Sequence, residues 1–430
     1  MMNSKDEIIP HDLKKTGVTQ KQYVIGRRDS NTSLGTLEVG RYLALDRSMG
    51  SRVHMDALKP HAILICGKRG YGKSYTMGLI IEELAALSPE VNIAALVIDT
   101  MGIFWTMRHP NNKENEILSK WDFSPEGISA ELFVPAGSIE HYNQMNIEAK
   151  PFSISPQELS GYDWCSLFGF DPISQIGVFI LKIIDEIKDK TSEFSLVNII
   201  DHINIDGEAD RTLRSAAKNY FRLAVSWGIF HEGGIILSDI IRKGKVSILD
   251  LSSIDNQNIK AIAVKVLGSK IYNESIRSRR IYEKREMGEK PVDEVIPLVW
   301  MFVDEAHLFL PADGETPATS VLVNEWLRQG RQPGLSIIFA TQRPAALHSD
   351  VISQSDMIIC HRITAQDDIS ALEAVRPTYM RERIGDSLKK MGTEKGVAFI
   401  VDDNSESAHI VRMRPRKSWH GGDEPSAIKK

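Results

Sequence analysis

Residues 61–74 read HAILICGKRGYGKS, and this stretch decides the fold. Its first six residues form an apolar run, which is typical of a strand buried on both faces of a parallel sheet. After the run, Met77, Ile80, Ile81, Leu84 and Leu87 recur at helical spacing. The segment therefore predicts a buried strand, a glycine-rich loop and a helix in succession.

The loop between that strand and that helix, GKRGYGKS at residues 67–74, fits the phosphate-binding pattern G-x-x-x-x-G-K-[ST]. Glycines let the backbone wrap around a phosphate with its N–H groups pointing inward, and the helix N-terminus favours negative charge. We predict that Lys73 reaches the β- and γ-phosphates of ATP and that the Ser74 hydroxyl ligates Mg²⁺. The predicted cofactor-binding residues are Gly67, Gly70, Tyr71, Gly72, Lys73, Ser74 and Tyr75.

Apolar runs at 93–98, 246–251, 298–303 and 335–341 predict further strands, separated by helical stretches. Such alternation predicts an α/β fold with a parallel sheet and helices on both faces. We expect a mostly helical insertion at about 140–240 and a terminal hairpin at 396–414. The predicted domains are a short N-terminal β-element at 1–58, an ATPase domain at 59–420 and a C-terminal tail at 421–430.

The composition limits the functional classes. The 430 residues include 52 basic and 57 acidic side chains, a net charge of −5, so any DNA contact must be confined to a local patch or channel. No apolar run approaches the length of a membrane helix, and the N-terminus lacks the apolar core of a signal peptide. Three widely separated cysteines argue against disulfides or a zinc cluster and predict a cytoplasmic protein.

Two carboxylates, Asp304 and Glu305, follow the apolar run at 298–303. Ligands bind at the carboxyl ends of strands in open α/β sheets, so we expect Asp304 in the Mg²⁺ shell and Glu305 as the general base for the attacking water. The alternative is that the pair only caps the following turn. Asp99, after the run at 93–98, could orient magnesium-bound water or cap a loop.

Polar residues also border the predicted strand at 335–341. Gln342 at its end is placed to contact the γ-phosphate or the attacking water, unless it is an ordinary turn residue. A helix expected over 318–329 precedes the strand, and Arg328 and Arg331 lie near its end. Either arginine could complement the helix dipole. A guanidinium also matches phosphate oxygens, and in oligomeric motors such an arginine is supplied by the neighbouring subunit; we favour Arg331 for that role.

Together, GKRGYGKS, LVID at 96–99, MFVDEAH at 301–307 and LRQGRQPGLSIIFATQRPAALHSDVISQ at 327–354 closely resemble the HerA branch of the HerA/FtsK superfamily. The resemblance implies a RecA-like ATPase that forms a hexameric ring and pumps double-stranded DNA. It assigns Lys73 and Ser74 to the Walker A pair, Asp304 and Glu305 to the Walker B pair, Gln342 to the sensor and Arg331 to the trans-acting arginine.

The resemblance also implies partners. Members work with a nuclease at broken DNA ends, and bacterial relatives occur in phage-defence complexes. The alternative is an ATP-dependent scaffold that holds and switches an effector nuclease. Only about 58 residues precede the ATPase domain, so we expect the N-terminal barrel of fuller members to be reduced or absent. Residues 411–422 resemble a segment that reaches the adjacent subunit in relatives, and Arg108, Lys113 and residues 277–284 are candidate pore residues.

Overall fold

A computed structural model describes residues 23–27, 34–290 and 295–422. These residues form a 13-stranded sheet flanked by helices. The strands are β1 (Tyr23–Ile25), β2 (Thr36–Leu43), β3 (Met49–Asp56), β4 (Ala62–Cys66), β5 (Ile93–Asp99), β6 (Ala130–Pro135), β7 (Lys150–Phe152), β8 (Val246–Asp250), β9 (Leu298–Val303), β10 (Leu335–Thr341), β11 (Met357–Cys360), β12 (Val397–Asp402) and β13 (Ser407–Met413).

The helices cover both faces of this sheet. They are α1 (Lys73–Ala85), α2 (Asn115–Ser119), α3 (Ile139–Gln144), α4 (Gly161–Phe168), α5 (Gln175–Lys190), α6 (Leu196–Ile205), α7 (Arg211–Ser226), α8 (Leu237–Ile240), α9 (Gln257–Glu286), α10 (Ser349–Gln354), α11 (Gln366–Ala374) and α12 (Ile384–Met391). The predicted α/β class is confirmed.

The strand order is β1-β3-β2-β13-β12-β11-β4-β10-β9-β5-β8-β6-β7. From β11 to β7 all neighbours are parallel, whereas β12, β13 and β2 continue the sheet in antiparallel pairs. All residues of β5 and β10 are buried, as their unbroken apolar sequences predict. The predicted strands at 298–303 and 335–341 match β9 and β10 residue for residue.

The sheet separates two hydrophobic cores. In β4, Ile63 and Ile65 face the core that contains α1, whereas Leu64 and Cys66 face the core that contains α5 and α9. This alternation follows from the two-residue period of a strand. The phosphate-loop helix therefore packs on one face of the sheet and the helices between residues 161 and 240 on the other.

Those helices occupy most of the range predicted for the insertion. Trp164 is completely buried at their centre, with the rings of Phe221 and Phe230 each 5.0 Å away between centroids. The short strand β7 also lies in this range and pairs with β6 of the main sheet. The insertion limits of 140 and 240 stay a prediction.

A stretch that we expected to form an ordinary helix, 318–329, contains a π-helix at Val321–Leu327. It packs against α9 where Gly268 allows close approach, since a Cβ there would lie 2.9 Å from the Val321 side chain. Trp326 Nε1 donates to the Gly268 carbonyl at 3.0 Å. The π-helix, which is wound more widely than an α-helix, thus lies in close contact with α9 a few residues before Arg331.

The N-terminal strands β1–β3 extend the main sheet, because β2 pairs with β13. A buried ionic cluster fixes them to the ATPase core. The Arg27 guanidinium binds Asp56 at 2.6 Å, and His61 lies between Asp56 at 3.5 Å and Asp356 at 3.1 Å. The domain division at residue 58 stays a prediction, and residues 1–22 and 28–33 lie outside the described part of that segment.

The predicted hairpin is present as β12 and β13, but the segment after it does not extend from the subunit. Arg414 and Arg416 are completely buried against α1 of their own chain. Arg414 Nη1 binds Glu82 at 3.1 Å, and the Ser418 backbone N–H donates to Glu82 at 2.7 Å. A buried carboxylate on α1 of the same chain therefore holds residues 414–420, and contact of this segment with an adjacent subunit stays a prediction. The predicted tail at 421–430 lies outside the described residues from 423 onward.

None of the helices in the described ranges combines the length and the apolar character needed to cross a bilayer.

The cluster around His61 predicts a pH dependence of stability. Burial opposes the His61 charge, but its bonds to Asp356 and Asp56 outweigh burial and raise its pKa to about 9. Since this lies above the unfolded value of 6.5, the stabilisation is complete below pH 6.5 and is lost as the pH rises through 9. We expect chemical denaturation to show a loss of up to about 3 kcal/mol over that range.

The matched variant is His61→Gln, whose stability should fall less between pH 6.5 and 9. Equal changes for the variant and the unmodified chain would show that His61 does not contribute this pH dependence.

Candidate active site

Three adjacent parallel strands bring the predicted catalytic groups together. β10 lies between β4 and β9, so the phosphate loop, Gln342 and the Asp304–Glu305 pair all leave the sheet at the same edge. This explains why residues more than 200 positions apart in the sequence share one site. The structure thus groups Lys73, Ser74, Asp304, Glu305 and Gln342.

The loop ends at Gly72, and α1 begins at Lys73. The Lys73 side chain is buried, at 6% exposure, on the side of the two carboxylates. Burial lowers the pKa of Lys73, and the negative charges of Glu305 and Asp304 oppose that shift. A cation held beside the loop in this way suits the terminal phosphates of a nucleotide. Gly70 lies exposed at the tip of the loop.

Ser74 and Asp304 form a set of oxygen ligands that fits Mg²⁺. Ser74 Oγ lies 3.5 Å from Asp304 Oδ2. Burial and the adjacent Glu305 carboxylate raise the pKa of Asp304 to about 6, so a nearby cation would favour its ionised form. Magnesium commonly takes one or two protein oxygens together with water and substrate phosphates, which matches this small donor set.

Glu305 is held in a strained conformation. Its φ and ψ of 47° and 49° lie in the left-handed region that non-glycine residues rarely adopt, a cost of about 1–3 kcal/mol. Gln342 Nε2 donates to one carboxylate oxygen of Glu305, and His307 Nδ1 lies 3.5 Å from the other, Oε2. Within the described residues no hydrogen bond reaches the buried Oε2, so this oxygen keeps its acceptor capacity unused.

His307 contacts both Glu305 and the end of β10, although no sequence motif pointed to this role. Its Nδ1 lies 3.1 Å from Thr341 Oγ1, at the end of β10. Burial lowers the pKa of His307, which keeps the ring neutral beside Glu305.

Two predicted cofactor-binding tyrosines have other partners. The Tyr71 hydroxyl accepts from Arg362 at 3.0 Å, and the guanidinium lies over the Tyr71 ring. The Tyr75 hydroxyl donates to Glu114 at 2.6 Å and accepts the Arg416 backbone N–H at 2.7 Å. The Tyr75 hydroxyl is therefore engaged with Glu114 and the C-terminal segment, and nucleotide contact by Tyr71 and Tyr75 stays a prediction.

Asp99 caps a loop, which was one of the two roles considered for it. Its carboxylate accepts the backbone N–H groups of Met101, Gly102 and Phe104 at 2.8–3.0 Å. Burial and the neighbouring Asp250 raise the pKa of Asp99 to about 7.

Arg331 lies near the amino-terminal end of β10, whereas the site lies at the carboxyl end. It precedes β10, whereas Gln342 follows it, and a seven-residue strand separates its two ends by roughly 20 Å. The Arg331 side chain is exposed, with no ion pair among the residues that the structure describes. Arg328 instead bonds to Asp350, and to Asn324 at 3.0 Å. Of the two arginines, Arg331 has its charge free.

The candidate pore residues have local partners. Arg108 donates to the carbonyls of Ala130 and Glu148 at 2.9 and 2.7 Å. On the basic end of α9, Arg279 pairs with Glu283 at 2.9 Å.

Sequence reasoning missed His361 and Arg362, which follow β11 beside the loop. The Arg362 carbonyl accepts the Lys68 backbone N–H at 2.7 Å, so β11 continues to pair with the start of the loop. Beyond Arg362, a cavity of about 550 Å³ opens between α11 and α12. The only available sequence signal was their position after a further apolar strand.

Residues 37–271, more than half of the chain and including the phosphate loop, match the family model of the HerA helicase central domain. The chain belongs to the HerA helicase family. It is therefore an ATPase, and the fold and loop geometry described above agree with that membership.

Among curated proteins, the chain is similar to the DNA double-strand break repair helicase HerA of Sulfurisphaera tokodaii, with 25% identity over 92% of this chain and 72% of the relative. The HerA helicase of Sulfolobus acidocaldarius is 24% identical over the same shares. Among solved structures, VirB4 of Thermoanaerobacter pseudethanolicus superimposes with a TM-score of 0.59 over 90% of this chain and 98% of VirB4. At 13% identity, that likeness concerns the fold alone.

The geometry around Glu305 gives a test of its role. We expect Glu305→Gln to retain ATP binding, since Gln342 can still donate to the substituted amide, and to lower turnover by about 10²-fold or more. Phosphate release and nucleotide binding, measured on the same preparation, check this. Glu315→Gln makes the same chemical change at an exposed position and should leave turnover intact. Robust hydrolysis by Glu305→Gln would remove Glu305 from the proposed role.

Proposed function

We propose that the protein is an ATP-driven motor that moves double-stranded DNA, and that it works as a ring of identical subunits, expected to be a hexamer. Family membership and the grouping of Lys73, Glu305 and Gln342 at one sheet edge support the ATP-driven part. The HerA relatives, whose names describe DNA double-strand break repair helicases, support DNA as the substrate.

The position of Arg331 carries the proposal of a ring. The Arg331 guanidinium is exposed and has no ion pair among the described residues, and it is separated from the nucleotide site of its own subunit by roughly 20 Å of sheet. We therefore propose that it serves the site of a neighbouring copy. A guanidinium contributed in this way stabilises charge on the transferred phosphoryl group, an effect of about 10³–10⁵ in rate in GTPases.

In the proposed hydrolysis, the loop N–H groups and Lys73 bind the phosphates. Ser74 and Asp304 would hold Mg²⁺, which would neutralise phosphate charge. Glu305 Oε2 accepts a proton from the attacking water. Gln342 donates a hydrogen bond to the other oxygen of Glu305 and lies at the end of β10. Through this hydrogen bond, a change at Glu305 on loss of the γ-phosphate can be transmitted to β10.

Contact with DNA is proposed to be electrostatic and independent of sequence, through the phosphates. Because the chain is acidic overall, this contact is expected to be confined to a local basic patch or channel. A nuclease partner, in DNA-end processing or phage defence, is the finer part of this proposal. The alternative, a scaffold that only holds and switches such an effector, requires no coupling between DNA and ATP turnover.

Stimulation of ATP turnover by double-stranded DNA separates the two functions. We expect turnover to rise several-fold with blunt duplex DNA and the stimulation to fall as salt is raised, because phosphate contacts release counterions. Lys73→Ala should abolish turnover with and without DNA. Turnover that is equal with and without DNA at every salt concentration would contradict the motor and favour the scaffold.

The trans role of Arg331 is tested by mixing subunits. We expect Arg331→Ala to bind ATP normally and to lose turnover by at least about 10²-fold, whereas Arg328→Ala retains most of it, because Arg328 is already paired with Asp350. Mixing Arg331→Ala with Lys73→Ala subunits should restore some turnover, since each supplies the group that the other lacks. Full turnover by Arg331→Ala alone would overturn the assignment.

A further inference from the structure

His361 lies directly beneath the phosphate loop, and no step of the proposed hydrolysis uses it. The residue is completely buried and follows the last residue of β11. Its backbone N–H donates to the carbonyl of Cys66, the residue before the loop, at 2.8 Å. The pairing of β11 with β4 therefore fixes the position of His361 independently of any bound ligand.

The imidazole side chain fills the space under both ends of the loop. A Cβ atom at Gly67 would lie 2.6 Å from the Cβ of His361, and one at Gly72 would lie 3.3 Å from its Cε1. Both glycines also have positive φ values, 154° and 117°. The loop can take its present path over the histidine because these two positions lack side chains.

The two ring nitrogens have different partners, and this determines the tautomer. Nδ1 lies 3.0 Å from the carbonyl oxygen of Val397 in β12, and a carbonyl can only accept, so Nδ1 carries the proton. Nε2 then presents a lone pair, and Thr76 Oγ1, 2.9 Å away, donates to it. The ring thereby connects β12 to the first turn of α1, two residues beyond Ser74.

The neutral form of the His361 ring suits its position near Lys73 and Thr76. Burial lowers the pKa of His361 to about 4; the bond to the Val397 carbonyl opposes that shift, and the Lys73 cation adds to it. An uncharged imidazole adds no repulsion to Lys73 and remains an acceptor for Thr76.

We propose that His361 is a positioning residue for the nucleotide phosphates. With Thr76 as its partner, it holds the loop and the first turn of α1 in the phosphate-binding shape before a nucleotide arrives. A loop without this support must be ordered on binding, which lowers affinity without changing the groups that react. The inference rests on the proposed function only in that the loop binds phosphate.

Two amide substitutions separate the contacts of the ring. His361→Asn places an amide nitrogen near the position of Nδ1 and keeps the donor to Val397, but it does not reach Thr76. His361→Gln reaches the position of Nε2 and can accept from Thr76. Thr76→Val removes the hydroxyl from the other side of the same bond, and Thr106→Val makes the same change at a buried threonine outside the site.

The measurement is the affinity of the full chain for inorganic tripolyphosphate with Mg²⁺, together with KM and kcat for ATP. We expect His361→Asn and Thr76→Val each to weaken tripolyphosphate binding by about 10-fold, with the double variant no weaker than either single one. The KM for ATP should rise by a similar factor while kcat changes less than about threefold. His361→Gln should recover most of the affinity, and Thr106→Val should keep it.

A purely structural role gives a different result. If the His361 and Thr76 variants only lower the melting temperature and the folded protein binds tripolyphosphate normally, the proposal is wrong. Additive losses in the double variant would also overturn it, because the two residues would then act separately.

Tripolyphosphate binding needs neither DNA nor a neighbouring subunit, so this test is independent of the motor. A chain that binds tripolyphosphate but shows no DNA-stimulated turnover would overturn the motor and leave the role of His361 standing. A chain that does not bind tripolyphosphate would overturn both.

Discussion

The parallel pairing of β4 with β10, and of β10 with β9, is the constraint on which the site depends. It places the carboxyl ends of three strands side by side. The phosphate loop, the Gln342 amide and the Asp304–Glu305 pair therefore meet directly where these strands end. The strands are buried on both faces, and their positions are fixed by packing against two separate cores. The strained backbone of Glu305 is tolerated because this rigid frame surrounds it.

The same frame explains which parts of the molecule could be predicted from the sequence. The apolar runs of β9 and β10 begin after Pro297 and Gly334 and end before polar residues, so their limits and the carboxylates that follow β9 were visible in the pattern. The phosphate loop was predictable because its pattern is contiguous. In each case, information about burial and chain direction was enough to place the functional group.

Contacts between distant segments were not predictable in this way. Thr76 and His361 are 285 positions apart, and nothing in the periodicity of either segment indicates the other. The same holds for Tyr75, a predicted cofactor-binding residue, whose hydroxyl bonds to Glu114 and to the Arg416 backbone. Apolar spacing reports that a residue is buried but does not report its partner, and a histidine at the end of a strand has many ordinary roles.

The buried carboxylate of Glu82 has a consequence for how the chain matures. Its partner Arg414 lies 332 positions further along, so during synthesis α1 emerges long before the residues that neutralise it. Until then this helix carries an uncompensated charge on the side that will be enclosed, which disfavours its final packing. Completion of the nucleotide-bearing helix is thus tied to synthesis of the segment that carries Arg414, more than 300 residues after the helix itself.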